Sequence, residues 1–276
     1  MDAADANVNR CAYMRRICAS IRRVLPLHDD NPTRRPPWLT ILLIAVNVYV
    51  YFFVQPHGSS REELAFLYEH AAVPCEVLSG EPLDLLEIRT GSCAERSGIF
   101  APPTPFPDKN VWLSVVVSMF LHGSLLHLGG NMLYLWIFGN NVEDHMGPMG
   151  FILAYLATGV AAAFAHFAFD PASVVPVVGA SGAIAGVMGA YMVLWPGARI
   201  LTATFFFFIH MIWLPAWLVL GAWFVLQFFT APDSGIAWMA HVGGFVAGVL
   251  VGVVARAAKQ PRVPSRHPWE EELGWS

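Results

Sequence analysis

Charge is what this sequence has least of. Of its 276 residues only 13 % are Asp, Glu, Lys or Arg, about half the share usual in a soluble domain, while 56 % are apolar and the mean hydropathy is +0.52. A folded chain of this size cannot clothe a water-facing surface with so few charges, which excludes an ordinary soluble enzyme. A disordered chain needs the opposite balance, low hydrophobicity and high charge. The net charge of −4 also excludes the cationic surface that nucleic acid requires. Residues 1–37 lack both a hydrophobic run of signal-peptide length and a small-residue cleavage site, so entry into a membrane is expected through the chain's own spans. No Asp or Glu falls inside the spans drawn below. What remains is a multi-span membrane protein.

The 16 Lys and Arg are segregated: seven in residues 1–35, four in 57–109, Arg199 alone, and four in 256–266. Between them the apolar stretches divide at Pro, Gly and His-Gly-Ser breaks into six expected spans. These are Trp38 to Val54, Leu125–Val142 after an approach segment Val111–Leu121, Pro148 to Phe169, Gly182 to Trp195, Trp213–Phe229 after the break at Pro215, and Ile236 to Val254. The fourth is only fourteen residues, about 21 Å of helix, too short to cross the roughly 30 Å hydrocarbon layer. In the basic arm 1–37, Met14, Ile17, Ile21, Val24 and Leu25 recur at helical spacing beside arginines, which suits a short amphipathic helix on an anionic leaflet. Residues 57–109 form an outer loop too long for a connector, so short helices of its own are expected.

With both ends cytoplasmic, twelve of the 16 basic residues lie on the cytoplasmic side, the positive-inside distribution. Three units follow: a cytoplasmic arm 1–37, a six-span domain 38–255 and a cytoplasmic tail 256–276. The expected fold class is an all-α bundle of six transmembrane helices with a large outer loop between helices 1 and 2, most simply in the cell membrane.

Polar residues within apolar stretches are costly and mark function. The absence of paired carboxylates excludes an intramembrane aspartyl protease. Without a His-Glu-x-x-His helix a zinc protease is excluded too, and no metal or other cofactor is expected. Three motifs survive. Gly179-Ala180-Ser181-Gly182 places a serine at the N-terminus of the short fourth helix, where unpaired N–H groups and the helix dipole can hold an oxyanion. A helix shorter than the bilayer starts below its outer surface, at the floor of a cavity open to water. In Ala240-His241-Val242-Gly243-Gly244, His241 shares one helical stripe with Gly244, Gly248 and Gly252. A second stripe, Gly182, Gly186 and Gly189, lies beside Ser181. Such stripes permit close approach and would set the His241 imidazole against the Ser181 hydroxyl as its base. His127 and Asn131, at i and i+4, can aim at one point as oxyanion donors. His122, near the start of that helix, is read as ordering the outer loop.

Taken together, the H-x4-H-x3-N, G-x-S-G and A-H-x-x-G motifs, in this order on spans 2, 4 and 6, resemble those of the rhomboid intramembrane serine proteases over about residues 38–255. The resemblance implies a cofactor-free Ser–His dyad that cuts transmembrane protein substrates in the lipid bilayer. Carried onto this chain, Ser181 would be nucleophile and His241 base and acid. His127, Asn131 and the Ser181 N–H would form the oxyanion site, and Gly179 would let the loop approach the substrate. Gly182 and Gly244 would serve packing near the site. Two positions depart from the family pattern. Ala185 stands where an aromatic ring often packs on the imidazole, so Tyr134, Trp136 or Trp238 is expected to replace it, and the outer loop has no Trp-Arg pair.

A catalytically inactive, client-binding relative is the alternative, although such proteins typically lose the serine or histidine. A transporter or channel is disfavoured by the missing mid-membrane carboxylates and by the absence of an internal repeat. Independently of the resemblance, Cys75 and Cys93 both lie in the loop assigned outside, where a disulfide persists, whereas Cys11 and Cys18 lie in the arm assigned to the reducing cytoplasm. A Cys75–Cys93 bond is expected.

Overall fold

The apolar stretches fold as helices whose ends fall at their Pro and Gly punctuation. The structure, a computed structural model, describes residues 24–93, 103–205, 209–230 and 235–258. After a strand β1 (Val24–Asp29) come α1 (Trp38–Tyr49), which ends in a single π-helical turn Val50–Val54, and three loop helices, α2 (Ser60–His70), α3 (Pro74–Ser79) and α4 (Leu85–Thr90). Then follow α5 (Val111–Val117) with a 3-10 turn, and the long α6 (Leu125–Phe169). The order closes with α7 (Ser181–Leu194), strands β2 (Arg199–Phe205) and β3 (Ile209–Pro215), α8 (Ala216–Gln227) and α9 (Trp238–Ala258). By length and composition α6 and α9 are apolar enough to cross a membrane, and α1, α5, α7 and α8 are shorter apolar helices.

Gly147 divides α6 into two arms. Its φ of 75° is a left-handed conformation that glycine adopts without strain, and Pro148 next to it has no N–H with which to continue the ladder. The first arm runs past the expected end at Val142 and takes in Glu143 and Asp144, so the stretch is not free of carboxylates. Glu143 is buried, and it replaces the cap that Pro37 cannot supply: it accepts hydrogen bonds from Leu39 N (2.9 Å), Thr40 N (2.8 Å) and Thr40 Oγ1 (2.8 Å) at the start of α1.

The core lies where α7 is sandwiched between α6 and α9, around Phe138, Phe151, Tyr155, Met188, Tyr191 and Phe245. The glycine stripes set this geometry. A Cβ on Gly244 would overlap the carbonyl of Gly182, one on Gly248 the carbonyl of Gly186, and one on Gly189 the carbonyl of Phe245. The two helices are therefore in backbone contact.

The expectation of an all-α fold is corrected by a three-stranded antiparallel sheet in the order β1-β2-β3. Val24 and Leu25, assigned to the amphipathic arm helix, begin β1 and pair with Thr204 and Ala203; Met14, Ile17 and Ile21 lie outside the described residues. Pro26 is tolerated because β1 is an edge strand, with a register shift between Pro26 and His28. The fifth expected span also moves. Trp213, Leu214 and Pro215 complete β3, and α8 begins at Ala216, where Ala216 N and Trp217 N donate to the carbonyls of Ala198 and Pro196.

The sheet lies at one end of the helices, fastened by a pair of aspartates. Buried Asp29 accepts from Asn141 Nδ2 (2.8 Å) and Tyr191 OH (2.6 Å), and burial holds its carboxyl above the usual range. Asp30 accepts from Arg199 Nε (2.7 Å) and Arg199 N (2.8 Å), which hold its carboxyl below that range. The opposite end carries the 57–93 segment, where Ala72 N donates to Ser118 Oγ and Val177 N to the Ala72 carbonyl. Gln55 there pairs both ways with the backbone of His122, at 3.0 and 2.9 Å. Lys109, buried with Glu76, donates to that carboxylate and to the Tyr68 carbonyl, and burial pushes its ammonium below the usual lysine range. Cys75 and Cys93 are joined by a disulfide across α3 and α4.

Candidate active site

The site is built where the stretch 171–180, after α6, meets the start of α7. Gly179 precedes that helix with φ +126°, a conformation rare for any residue with a side chain. Its N–H donates to the Ser118 carbonyl (2.9 Å), so the loop is pinned to the turn before α6. A Cβ on Gly179 would lie 2.8 Å from Cε1 and Nε2 of His127 and 3.5 Å from Ser181 Oγ. The missing side chain thus leaves room for the His127 ring at the serine. Ala180 offers no side-chain oxygen to cap α7, which leaves the first-turn N–H groups for a ligand or water.

Across the glycine seam, His241 Nε2 is 2.8 Å from Ser181 Oγ. The ring's other nitrogen, Nδ1, is 2.8 Å from Gln227 Oε1 on α8. The Trp223 ring, one turn earlier on α8, is centred 5.7 Å from the imidazole and inclined to it by 37°. This aromatic neighbour differs from the three expected to compensate for Ala185. Trp238 packs on Phe169 and Phe228, Tyr134 on Phe138, and Trp136 is half exposed.

His127 and Asn131 occupy successive turns in the first arm of α6. Asn131 is buried and its Nδ2 has no hydrogen-bond partner, so a donor stands ready for a group that is not part of the protein. His122 is buried with its ring 5.1 Å from that of His127, and its backbone pairs with Gln55 at the end of α1. Gly182 and Gly244 sit in the seam itself, where a Cβ on either would meet backbone or Ala162.

Gln227 and Trp223 escape a reading by motif. Neither belongs to a spaced pattern, and a single amide in an apolar helix is a faint signal; its position in the last turn, opposite a histidine, appears only when α8 and α9 are packed. Among the described residues the one grouping of metal-ligating types is Cys75, Glu87 and Cys93. Its two sulfurs are bonded to each other, so it offers no thiolate ligands. Chemically, the arrangement can remove a proton from a hydroxyl in an apolar site and offer donors to an oxyanion.

A family model described as the Rhomboid domain matches residues 109–258. Among similar proteins, "Rhomboid protein 1, mitochondrial" of Saccharomyces cerevisiae is 31% identical over 160 residues, 54% of this chain and 44% of that protein. "Rhomboid protease GluP" of Bacillus subtilis is 28% identical over 56% of this chain and 24% of its own length. "Rhomboid-like protein 11, chloroplastic" of Arabidopsis thaliana is 29% identical over 52% and 51%. The chain thus spans about half or less of the length of these relatives.

Proposed function

The chain belongs to the rhomboid family, and from that premise we propose that it is an intramembrane serine endopeptidase cutting transmembrane protein substrates. The observation that carries this reading is the 2.8 Å contact between Ser181 Oγ and His241 Nε2 at the uncapped N-terminus of α7. A relative bearing the name protease adds support. In the proposed reaction His241 Nε2 takes the Ser181 proton as Oγ attacks the scissile carbonyl. The Ser181 N–H, His127 and Asn131 Nδ2 receive the oxyanion. His241 then passes the proton to the leaving amine, and water, activated by the same nitrogen, releases the acyl group from Ser181. Gly179 gives the substrate backbone access beside the nucleophile.

The proposed frame is a six-span domain over 38–255 with both ends cytoplasmic, an arm 1–37 and a tail 256–276. Two features support it. The sheet gathers residues 24–29, 199–205 and 209–215 at one end of the helices, and the 57–93 segment caps the other end, beside the serine. Between β1 and β2 lie the four segments read here as spans, α1, the two arms of α6, and α7, with α5 as the approach to the second; that is an even number, as the placement requires.

The test is labelling by a serine-directed fluorophosphonate, run beside cleavage of a transmembrane reporter. Wild type should label and cleave, while Ser181→Ala and His241→Ala should do neither and remain folded. A wild type that neither labels nor cleaves would favour an inactive, client-binding relative. A reporter fused at Ser276 that reads out from the outer side would overturn the topology.

A further inference from the structure

The dyad geometry leaves open which imidazole nitrogen carries the proton, and α8 supplies an answer. Gln227 is the last residue of α8 and is nearly fully buried. Its Nε2 donates to the Trp223 carbonyl one turn back, at 3.0 Å. A carbonyl only accepts, so the nitrogen of the carboxamide must lie on that side, and its oxygen must face His241. An amide oxygen also only accepts, so Nδ1, 2.8 Å away, must be the protonated nitrogen of the neutral ring. The lone pair then resides on Nε2, the nitrogen facing Ser181 Oγ. The other tautomer would set two lone pairs against each other at the Gln227 contact and present an N–H, not a base, to the serine.

We infer that Gln227 is a positioning residue that locks His241 as its Nδ1–H tautomer through the Trp223 carbonyl, with Trp223 bracing the face of the same ring. The inference rests on the dyad reading above. A neutral orienter suits the setting. A buried carboxylate at this depth would incur a large desolvation cost, whereas a carboxamide offers the same acceptor uncharged. It orients the imidazole without the full electrostatic stabilisation that a carboxylate would give the imidazolium, so its loss should be felt less than loss of a charged partner.

Gln227→Met keeps length and burial and deletes the acceptor; Gln227→Glu, held as the neutral acid by the same desolvation, keeps an acceptor oxygen toward Nδ1 and an O–H toward the Trp223 carbonyl. In vesicles, Gln227→Met should lower kcat on a transmembrane reporter roughly tenfold, the scale of one neutral hydrogen bond, with KM unchanged. The fluorophosphonate rate constant should fall by the same factor, and Gln227→Glu should restore most of both. Nitrogen NMR of 15N-histidine-labelled protein, with the His241 signals assigned by their loss in His241→Ala, should show wild type protonated at Nδ1 and Gln227→Met as a tautomer mixture. A wild-type His241 protonated at Nε2 would overturn the inference by itself, whether or not Gln227→Met folds. So would a Gln227→Met enzyme that raises KM alone or matches wild type. If wild type neither labels nor cleaves, the protease reading fails, while the tautomer measurement still decides the role of Gln227.

Discussion

Replacing Gly248 with alanine tests the seam on which the dyad depends. A Cβ built there falls on the Gly186 carbonyl oxygen and lies 2.6 Å from the Gly186 Cα. Carbon atoms rest at about 3.5 Å, and the opposing atoms are backbone, so no rotamer change relieves the overlap. The helix axes must part by about 1 Å. Overpacking of this kind costs about 1–3 kcal/mol, against which alanine regains up to about 1 kcal/mol of helix propensity. Gly248 lies seven residues beyond His241, about 10 Å along α9. A separation of that size there is carried to a contact that is only 2.8 Å long, and a misplacement of about 1 Å costs on the order of a hundredfold in rate. Gly221 on α8 is the control, since a Cβ there meets nothing within 4 Å. Gly248→Ala should lower both the thermal midpoint in detergent and the rate of fluorophosphonate labelling, while Gly221→Ala should lower neither. A Gly248→Ala protein with wild-type labelling and midpoint would refute the backbone contact between α7 and α9.

Asn131→Ala should reduce turnover about 10²–10³-fold, the usual cost of one oxyanion donor, yet leave the thermal midpoint nearly unchanged because its Nδ2 bonds to nothing in the folded protein; a large stability loss with modest rate loss would reverse that assignment. Cys93→Ser should destabilise the 57–93 segment by roughly 3 kcal/mol through an 18-residue separation, read as earlier proteolysis of those residues; alkylatable thiols at Cys75 and Cys93 in wild type from its native membrane would contradict the bond. The Asp30–Arg199 pair contributes fully above the ordinary carboxyl range and is lost as pH falls through the lowered value for Asp30. In Arg199→Gln, hydrogen-exchange protection at the end of β1 should therefore decay at higher pH than in wild type; coincident profiles would exclude the pair as a tether.

Legibility in the sequence followed the repeat length of each signal. Helices α7 and α9 could be paired from residues alone because Gly182, Gly186 and Gly189 and Gly244, Gly248 and Gly252 recur on single faces, and because small residues have few other uses at such spacing. The sheet was illegible for the converse reason. Residues 199–215 alternate as Ile200, Thr202 and Thr204 against Leu201, Ala203 and Phe205, a weak pattern in which both faces are apolar enough to pass for helix. Its partner strand lies in a basic arm whose arginines suggested an amphipathic surface helix. Glu143 was hidden by its place at the end of an apolar run, where a carboxylate ordinarily marks the water boundary. Only the packing of α1 against that turn reveals a capping partner. Gln227 gave no periodic signal at all.

The pairing of β1 with β2 also has a consequence for biosynthesis. A chain made from its N-terminus presents Val24–Asp29 first, with no strand edge available until α1, both arms of α6, α7 and β2 have followed. The Tyr191 hydroxyl that Asp29 requires arrives almost as late. The sheet thus cannot close before β2 has been made, and until then Val24–Asp29 lacks its partner strand. A ribosome-bound chain halted before Arg199 should leave Val24–Asp29 open to protease, and one extended past Pro215 should protect it. The strand would then report whether the helices between it and β2 have been laid down in full.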